Sequence, residues 1–393
     1  MSKRFATSLL LCVWLVVIIL SGVLCALTKK TAASPHQQTM LKATALAQQA
    51  FDEIKQYKQQ HGIEIVEDDK LQTGMLGVER SILVTTDGIL KSKRTSVNPH
   101  WAAVVISMFV KAGLKEGDQV LMVFSGSFPA LNICAMAAGE VYGLDMCLMG
   151  SIGASNYGAT NENFNFFHIT EHLYKQGVLK NRLDVVSLGG SKDCGRNFGI
   201  AILEDVDVDA WAEDYRTQAR SEITSVPSIY YVEEPNYEAN INLRMDYVTQ
   251  NAPDVKFVLN VGGSMVGLGV GVTAHIQSGY VSPGLVVNNN AIAKEDKNHG
   301  LLQRYLQKGI PVASLLNMQG LADEYGIAYD PDQLPDATDV SQSNVYFTTK
   351  HNPIILVVAL LVTVAVAVVF CVLRVKNKIE VKQNERNHIL RRR

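Results

Sequence analysis

The sequence is poor in charge, in aromatic side chains and in cysteine. Asp, Glu, Lys and Arg make up 19% of the 393 residues, aromatic residues 7%, and there are six cysteines and three tryptophans. So few cysteines exclude a disulfide-dense scaffold, and 29 glycines without a triplet period exclude a collagen-like chain. At 47% hydrophobic residues, intrinsic disorder is excluded as well. Charge is missing altogether from two runs, Phe5 to Leu27 and Pro353 to Leu373. Their lengths, 23 and 21 residues, match the roughly 20 apolar residues that cross a bilayer core. These two runs account for a mean hydropathy of +0.08, high for a water-soluble chain. Two transmembrane helices are therefore expected to bracket the chain.

What charge there is lies unevenly. The formal net charge of -2 averages over unlike parts. The tail from Arg374 holds eight basic residues against Glu380 and Glu385, and Lys3 and Arg4 precede the first run. The middle, Thr28 to Asn352, keeps 26 basic and 36 acidic residues, a net -10. So acidic a segment argues against a nucleic-acid partner. Positive residues stay on the cytoplasmic side. Arg374, Lys376, Lys378, Lys382, Arg386 and Arg391 to Arg393 flank one side of the second run, against Lys350 on the other. Both tails are then cytoplasmic and the large domain extracytoplasmic, and the tail ending in three arginines is expected to sit against anionic lipid. Cys25 does not follow the small residue a lipoprotein cleavage site needs, since Leu24 precedes it. Outside the runs remain Cys134, Cys147 and Cys194, an odd number that permits one disulfide at most.

The expected organisation is a first tail and span at 1–27, a stalk helix and spacer at 28–72, a domain at 73–352, a second span at 353–373 and a basic tail at 374–393. Met40, Ala43, Leu46, Ala47, Ala50, Phe51 and Ile54 make one helical stripe, read as a stalk or docking helix. A turn-rich stretch leads to Asn98 as N-cap and Pro99 as first residue of an apolar helix ending at Gly113. Thereafter apolar strands at Gln119–Ser125, Met146–Ser151, Val185–Leu188, Phe257–Val261 and Val312–Leu315 alternate with helical segments, Pro129–Tyr142 among them. Such alternation predicts an α/β domain, a mostly parallel, Rossmann-like sheet with helices on both faces. Glu233 to Asn236 is the one candidate division into two lobes.

Three strands end in Gly/Ser turns: Ser125-Gly-Ser127, Gly189-Gly-Ser191 and Gly262-Gly-Ser264. Ligands of open parallel sheets bind outside the carboxyl ends of the strands, so the three turns together point to an anion site. The Ser125 turn runs straight into a helix, whose N-terminus favours an anion, and it lacks the Gly-x-Ser-x-Gly spacing of a hydrolase elbow. Asp193 and Arg196 are candidate ligand contacts in the same polar loop. Lys192 and Arg196 flank Cys194 and should favour its thiolate, although no base lies near in sequence. Lys91, Lys93 and Arg94 form the one basic cluster of the domain, by default a solvated loop, which completes the anion site if it folds over the strand ends. His168-Ile-Thr-Glu171-His172 has the spacing of an inverted zinc-protease motif, a weak candidate in a parallel α/β context that offers no third ligand. No cofactor is indicated.

Several phrases together resemble the poly-gamma-glutamate system protein family. They are Thr73 to Glu79, Lys93 to Ser96 with Asn98-Pro99, Ser125 to Asn132, Gly153 to Ser155, Leu188 to Gly190, Asn260 to Gly263, and Leu315 to Asn317 with Gly320-Leu321. The eight-residue run Ser-Gly-Ser-Phe-Pro-Ala-Leu-Asn is the most specific. The resemblance implies a membrane component of synthesis or export of this capsule polymer in a prokaryote, with the polymer and the other synthesis proteins as partners. The substrate-contact candidates are Lys93, Arg94, Ser125, Ser127, Ser155, Ser191, Asp193, Arg196 and Ser264. Two other readings stand beside it: a hydrolase or transferase acting on an anionic substrate at the Ser/Gly strand ends, and a structural anchor without a ligand, for which no cavity is expected.

Overall fold

The computed structural model describes residues 12, 14–23, 30–200, 202, 207–271, 276–283, 297–350 and 353–390. Lys3, Arg4, Cys25, Arg391 to Arg393 and much of the first apolar run lie outside the described residues. The chain divides into two compact units, Pro35–Tyr346 and the two terminal segments Met1–Ser34 with Phe347–Arg393.

In the terminal unit, a short apolar helix α1 (Trp14–Val23) represents the first run. Strand β1 (Lys30–Ala33) pairs antiparallel with Phe347–Lys350. One helix among the described residues, Leu360–Asn384, is long and apolar enough to cross a membrane. It belongs to a continuous helix, Pro353–Leu390. The basic segment expected as a separate tail thus prolongs the helix through Leu390.

The larger unit begins with α2 (Gln37–Gln60), β2 (Val84–Thr86), α3 (Leu90–Ser96), α4 (Trp101–Ala112) and β3 (Gln119–Ser125). Next come α5 (Pro129–Tyr142), β4 (Asp145–Ser151), β5 (Ala154–Ser155), α6 (Phe166–Lys175), β6 (Val185–Ser187), α7 (Val208–Thr224) and β7 (Tyr230–Val232). The remainder is α8 (Tyr237–Asn251), β8 (Val255–Val261), α9 (Met265–Leu268), β9 (Gly279–Val281), α10 (Leu301–Gln307), β10 (Val312–Leu315) and α11 (Met318–Tyr325). Seven strands form one sheet in the order β7-β6-β4-β3-β8-β10-β9, parallel except for β9 against β10. The α/β expectation holds.

Alternation along the strands divides the core. Val120, Met122 and Phe124 of β3 face one apolar layer built with α2, α4 and α5, while Leu121 and Val123 face the other, built with α8 and α10. Both faces of the sheet are covered, which is why its strands read as unbroken apolar runs. Helix α2 is no stalk. Its Ala43, Ala47 and Ala50 stripe is fully buried, because small side chains admit the close approach of another helix. Helix α4 starts at Trp101 rather than Pro99: the Asn98 side chain accepts from the His100 N–H and closes a preceding turn.

The chain winds outward from β3 through β4, β6 and β7, then returns to place β8 on the other side of β3. Between β3 and β8 the winding direction reverses, and a crevice opens there outside the carboxyl ends of the strands.

Candidate functional site

The crevice is a cavity of about 520 Å³ at the ends of β3, β4, β6 and β8. Its floor comes from the turns that follow those strands. Gly262, at φ +88°, brings its backbone so near β3 that a Cβ there would lie 2.8 Å from Ser125 Oγ. Gly190, at φ +73°, lies against the Arg196 carbonyl of the same loop, with no room for a Cβ. Gly262 lets the ends of β8 and β3 close on one another, and Gly190 lets the loop after β6 fold back on itself.

Seven of the nine expected contact residues line this cavity: Lys93, Ser125, Ser127, Ser155, Ser191, Asp193 and Ser264. Arg94 and Arg196 do not. Arg94 faces away, donating from Nε to the Asp68 carbonyl at 2.8 Å and lying 3.9 Å from Asp330. Arg196 lines a neighbouring hollow with Lys192, Cys194 and Lys297. The basic cluster is therefore no continuous path, for Lys91 is exposed, Arg94 is paired and Lys93 alone enters the crevice.

Lys93 overturns the solvated-loop expectation. It sits on α3 at 1% exposure. Its Nζ reaches the Ser127 carbonyl and lies 2.6 Å from Ser155 Oγ, 4.1 Å from the centre of the Phe128 ring. No ion pair among the described residues involves it. Burial without a counter-charge lowers its pKa from 10.5 to about 7. The serines around it are fixed by their own bonds. Ser155 N–H donates to Ser127 Oγ at 3.1 Å, and Ser127 N–H points at Ser125 Oγ at 3.4 Å. Asn132 of α5 donates to the Ser125 carbonyl at 2.8 Å, tying the helix start to the strand end.

Asp193 is the second buried ionisable group. Ser187 Oγ donates to it at 2.8 Å, and Arg244 Nη2 of α8 pairs with it at 2.6 Å, both carboxylate and guanidinium being almost fully enclosed. Burial raises its pKa, with Arg244 and Ser187 pulling the other way. Its backbone and that of Lys192 are left-handed, at φ 59° and 55°, a strained loop stapled by the ion pair.

Two weak candidates from the sequence are engaged otherwise. Cys194 is not activated: burial and the neighbouring Asp193 raise its pKa against the weaker pull of Arg196 and Lys192. It, Cys134 and Cys147 are all free thiols. The zinc candidates are each committed elsewhere. His168 Nε2 meets Glu222 at 3.0 Å, His172 Nε2 meets Glu53 at 2.8 Å, and Glu171 is clamped by Arg182. Among the described residues no three His, Cys, Asp or Glu side chains are grouped to hold a metal.

The sequence reading missed the wall formed by β2 and the loop from it to α3, where Thr85, Asp87 and Gly88 line the crevice. The Asp-Gly turn there was the available signal. It missed Ser151 at the end of β4 too, although that strand ends like the three that were singled out.

The chain matches no family model, no curated protein and no solved structure. Its site is read from geometry.

Proposed function

We propose that the protein is a membrane-anchored accessory component of poly-gamma-glutamate synthesis or export, whose crevice receives a carboxylate-bearing stretch of the polymer. One observation carries this reading. The phrases that resemble the poly-gamma-glutamate system family lie far apart in sequence, yet Lys93, Ser125, Ser127, Gly153, Ser155, Gly189, Gly190, Gly263 and Leu316 from six of them line the same cavity. The anchor-only reading expected no cavity.

The crevice answers the electrostatic objection to an acidic domain binding an acidic polymer. The net -10 is a property of the whole middle segment, but contact is decided within a Debye length of about 10 Å. There Lys93 supplies a cation, and the start of α5 a favourable dipole. A bound carboxylate raises the pKa of the enclosed amine, so binding takes up a proton at slightly alkaline pH.

In this reading both apolar runs span the membrane, the tails face the cytoplasm beside anionic lipid, and the α/β domain meets the polymer and the other synthesis proteins outside. The decisive experiment deletes the coding gene in the source strain and measures surface polymer. Loss of polymer, restored by the native chain and not by Lys93→Met, is expected; unchanged polymer after deletion overturns the proposal.

A further inference from the structure

The geometry points to a further activity: we propose that Ser155 and Lys93 form a nucleophile and base dyad, making the crevice a site of acyl transfer from an ester or amide to water or an amine. The substrate class, an acyl compound carrying a carboxylate, rests on the binding reading above. The dyad itself rests on side-chain placement alone.

A serine nucleophile needs a base within hydrogen-bond reach, an orienting partner for that base and access to substrate. All three are present. Lys93 Nζ lies 2.6 Å from Ser155 Oγ. The Ser127 carbonyl accepts from the same nitrogen, which leaves the amine lone pair of the neutral form for the serine proton. The Ser155 backbone is held by Ser127 Oγ and by the pairing of β5 with β2, and the residue lines the open cavity. Enclosure keeps a useful fraction of the lysine neutral near pH 7. Around Lys93, the elements packed against it present Ser127, Phe128 and Ser155, none of them charged. The ionisable groups elsewhere on the cavity wall are Asp87 and Asp193, the latter held by Arg244. Arg94, next on α3, faces Asp68 and Asp330.

Each step balances. Neutral Lys93 accepts the Ser155 hydroxyl proton as Oγ bonds to the carbonyl carbon, and the carbonyl π pair moves to oxygen. Collapse re-forms the carbonyl, breaks the bond to the leaving group and returns the proton from the Lys93 ammonium to that group. Water then attacks the acyl-serine ester, losing a proton to Lys93. The ester C–O bond breaks, the free acid leaves, and Ser155 recovers its proton. An amine in place of water gives a new amide. The developing oxyanion forms near the start of α5, whose N-cap Phe128 lines the cavity, and where the helix dipole favours negative charge.

The test uses the full chain in detergent with mono-4-nitrophenyl glutarate, an activated ester bearing a free carboxylate, and 4-nitrophenyl butyrate as the uncharged counterpart. A stoichiometric burst of nitrophenolate is expected, with the glutaryl group located on Ser155 by peptide mass spectrometry. With the uncharged ester its rate should rise through a midpoint near pH 7, where the amine becomes neutral, and with the glutarate ester through a higher one, because the bound carboxylate holds the proton on Lys93. Ser155→Ala and Lys93→Met should each slow it by about a hundredfold or more, with melting curves showing that both fold. A lysine with only a structural role would leave no such pH midpoint. Absence of the adduct, its location on another residue, or an unchanged rate in Ser155→Ala overturns the dyad, while polymer binding by that variant would leave the proposed function standing. Equal bursts from both esters support the dyad and remove the carboxylate from its substrate class.

Discussion

The crevice and the outer face of α6 both gather ionisable side chains, and they treat them oppositely. On α6, His168, Glu171 and His172 each meet an oppositely charged or polar partner from a different element, Glu222, Arg182 and Glu53, mostly within reach of solvent. In the crevice one carboxylate is fully paired, Asp193 with Arg244, while the Lys93 amine on the same cavity wall has only a carbonyl, a hydroxyl and an aromatic ring. Helical spacing created the more recognisable pattern on α6, yet each of its groups is neutralised separately. The less patterned region holds an amine without a counter-charge, and such a group remains chemically available.

The largest test of this contrast breaks the compensated part of the crevice. Arg244→Met strands the Asp193 carboxylate in the interior, and a loss of about 3–5 kcal/mol is expected in denaturant unfolding. A loss no greater than that of a surface pair would show that the loop reopens and hydrates Asp193.

Next in size is the uncompensated lysine. The folded-state pKa of about 7 lies below the ordinary 10.5, so between these values the unfolded chain binds more protons than the folded one. Lys93 therefore makes the unfolding free energy rise as pH increases from about 7 to 10.5, and its full cost is felt below 7. Lys93→Met should raise stability at pH 6 by an amount on the order of 4 kcal/mol, as a pKa lowered from 10.5 to about 7 implies, and give little gain at pH 10.5. Urea titrations of the native chain and the variant across this range measure the difference, and a pH-independent difference would mean that the lysine is charged in place.

The smallest effects belong to α6. Glu222→Gln and Glu53→Gln should each cost under about 1 kcal/mol. Zinc in excess should leave the melting temperature unchanged, because a metal stabilises only where the folded chain binds it. A zinc-dependent rise that disappears in a His168→Ala variant would restore the metal reading.

Much of the fold was legible because burial period is a local property. The strand Gln119–Ser125, the helix Pro129–Tyr142 and the strand Val312–Leu315 have the bounds their patterns predict. Gly113 and Gly143 end α4 and α5 in left-handed caps. Helix α3 was not legible. Leu90 to Ser96 carries no apolar stripe, and its helical form is supported by packing from outside the segment. The same limit explains α2, whose alanine stripe announces a buried face without naming what covers it.

The sequence by itself determined the alternation of strands and helices, the Gly/Ser turns at the strand ends and one helix apolar enough to span a membrane. Each follows from spacing between near neighbours in the chain. Only the tertiary structure decided that Lys93, and neither Lys91 nor Arg94, enters the crevice. Successive residues of a helix turn by about 100°, so three basic side chains that look like one cluster on paper leave α3 in different directions. Which direction meets Ser155, 62 positions later, depends on how β2, β5 and the end of β3 are brought together, and no local pattern in the chain encodes that meeting.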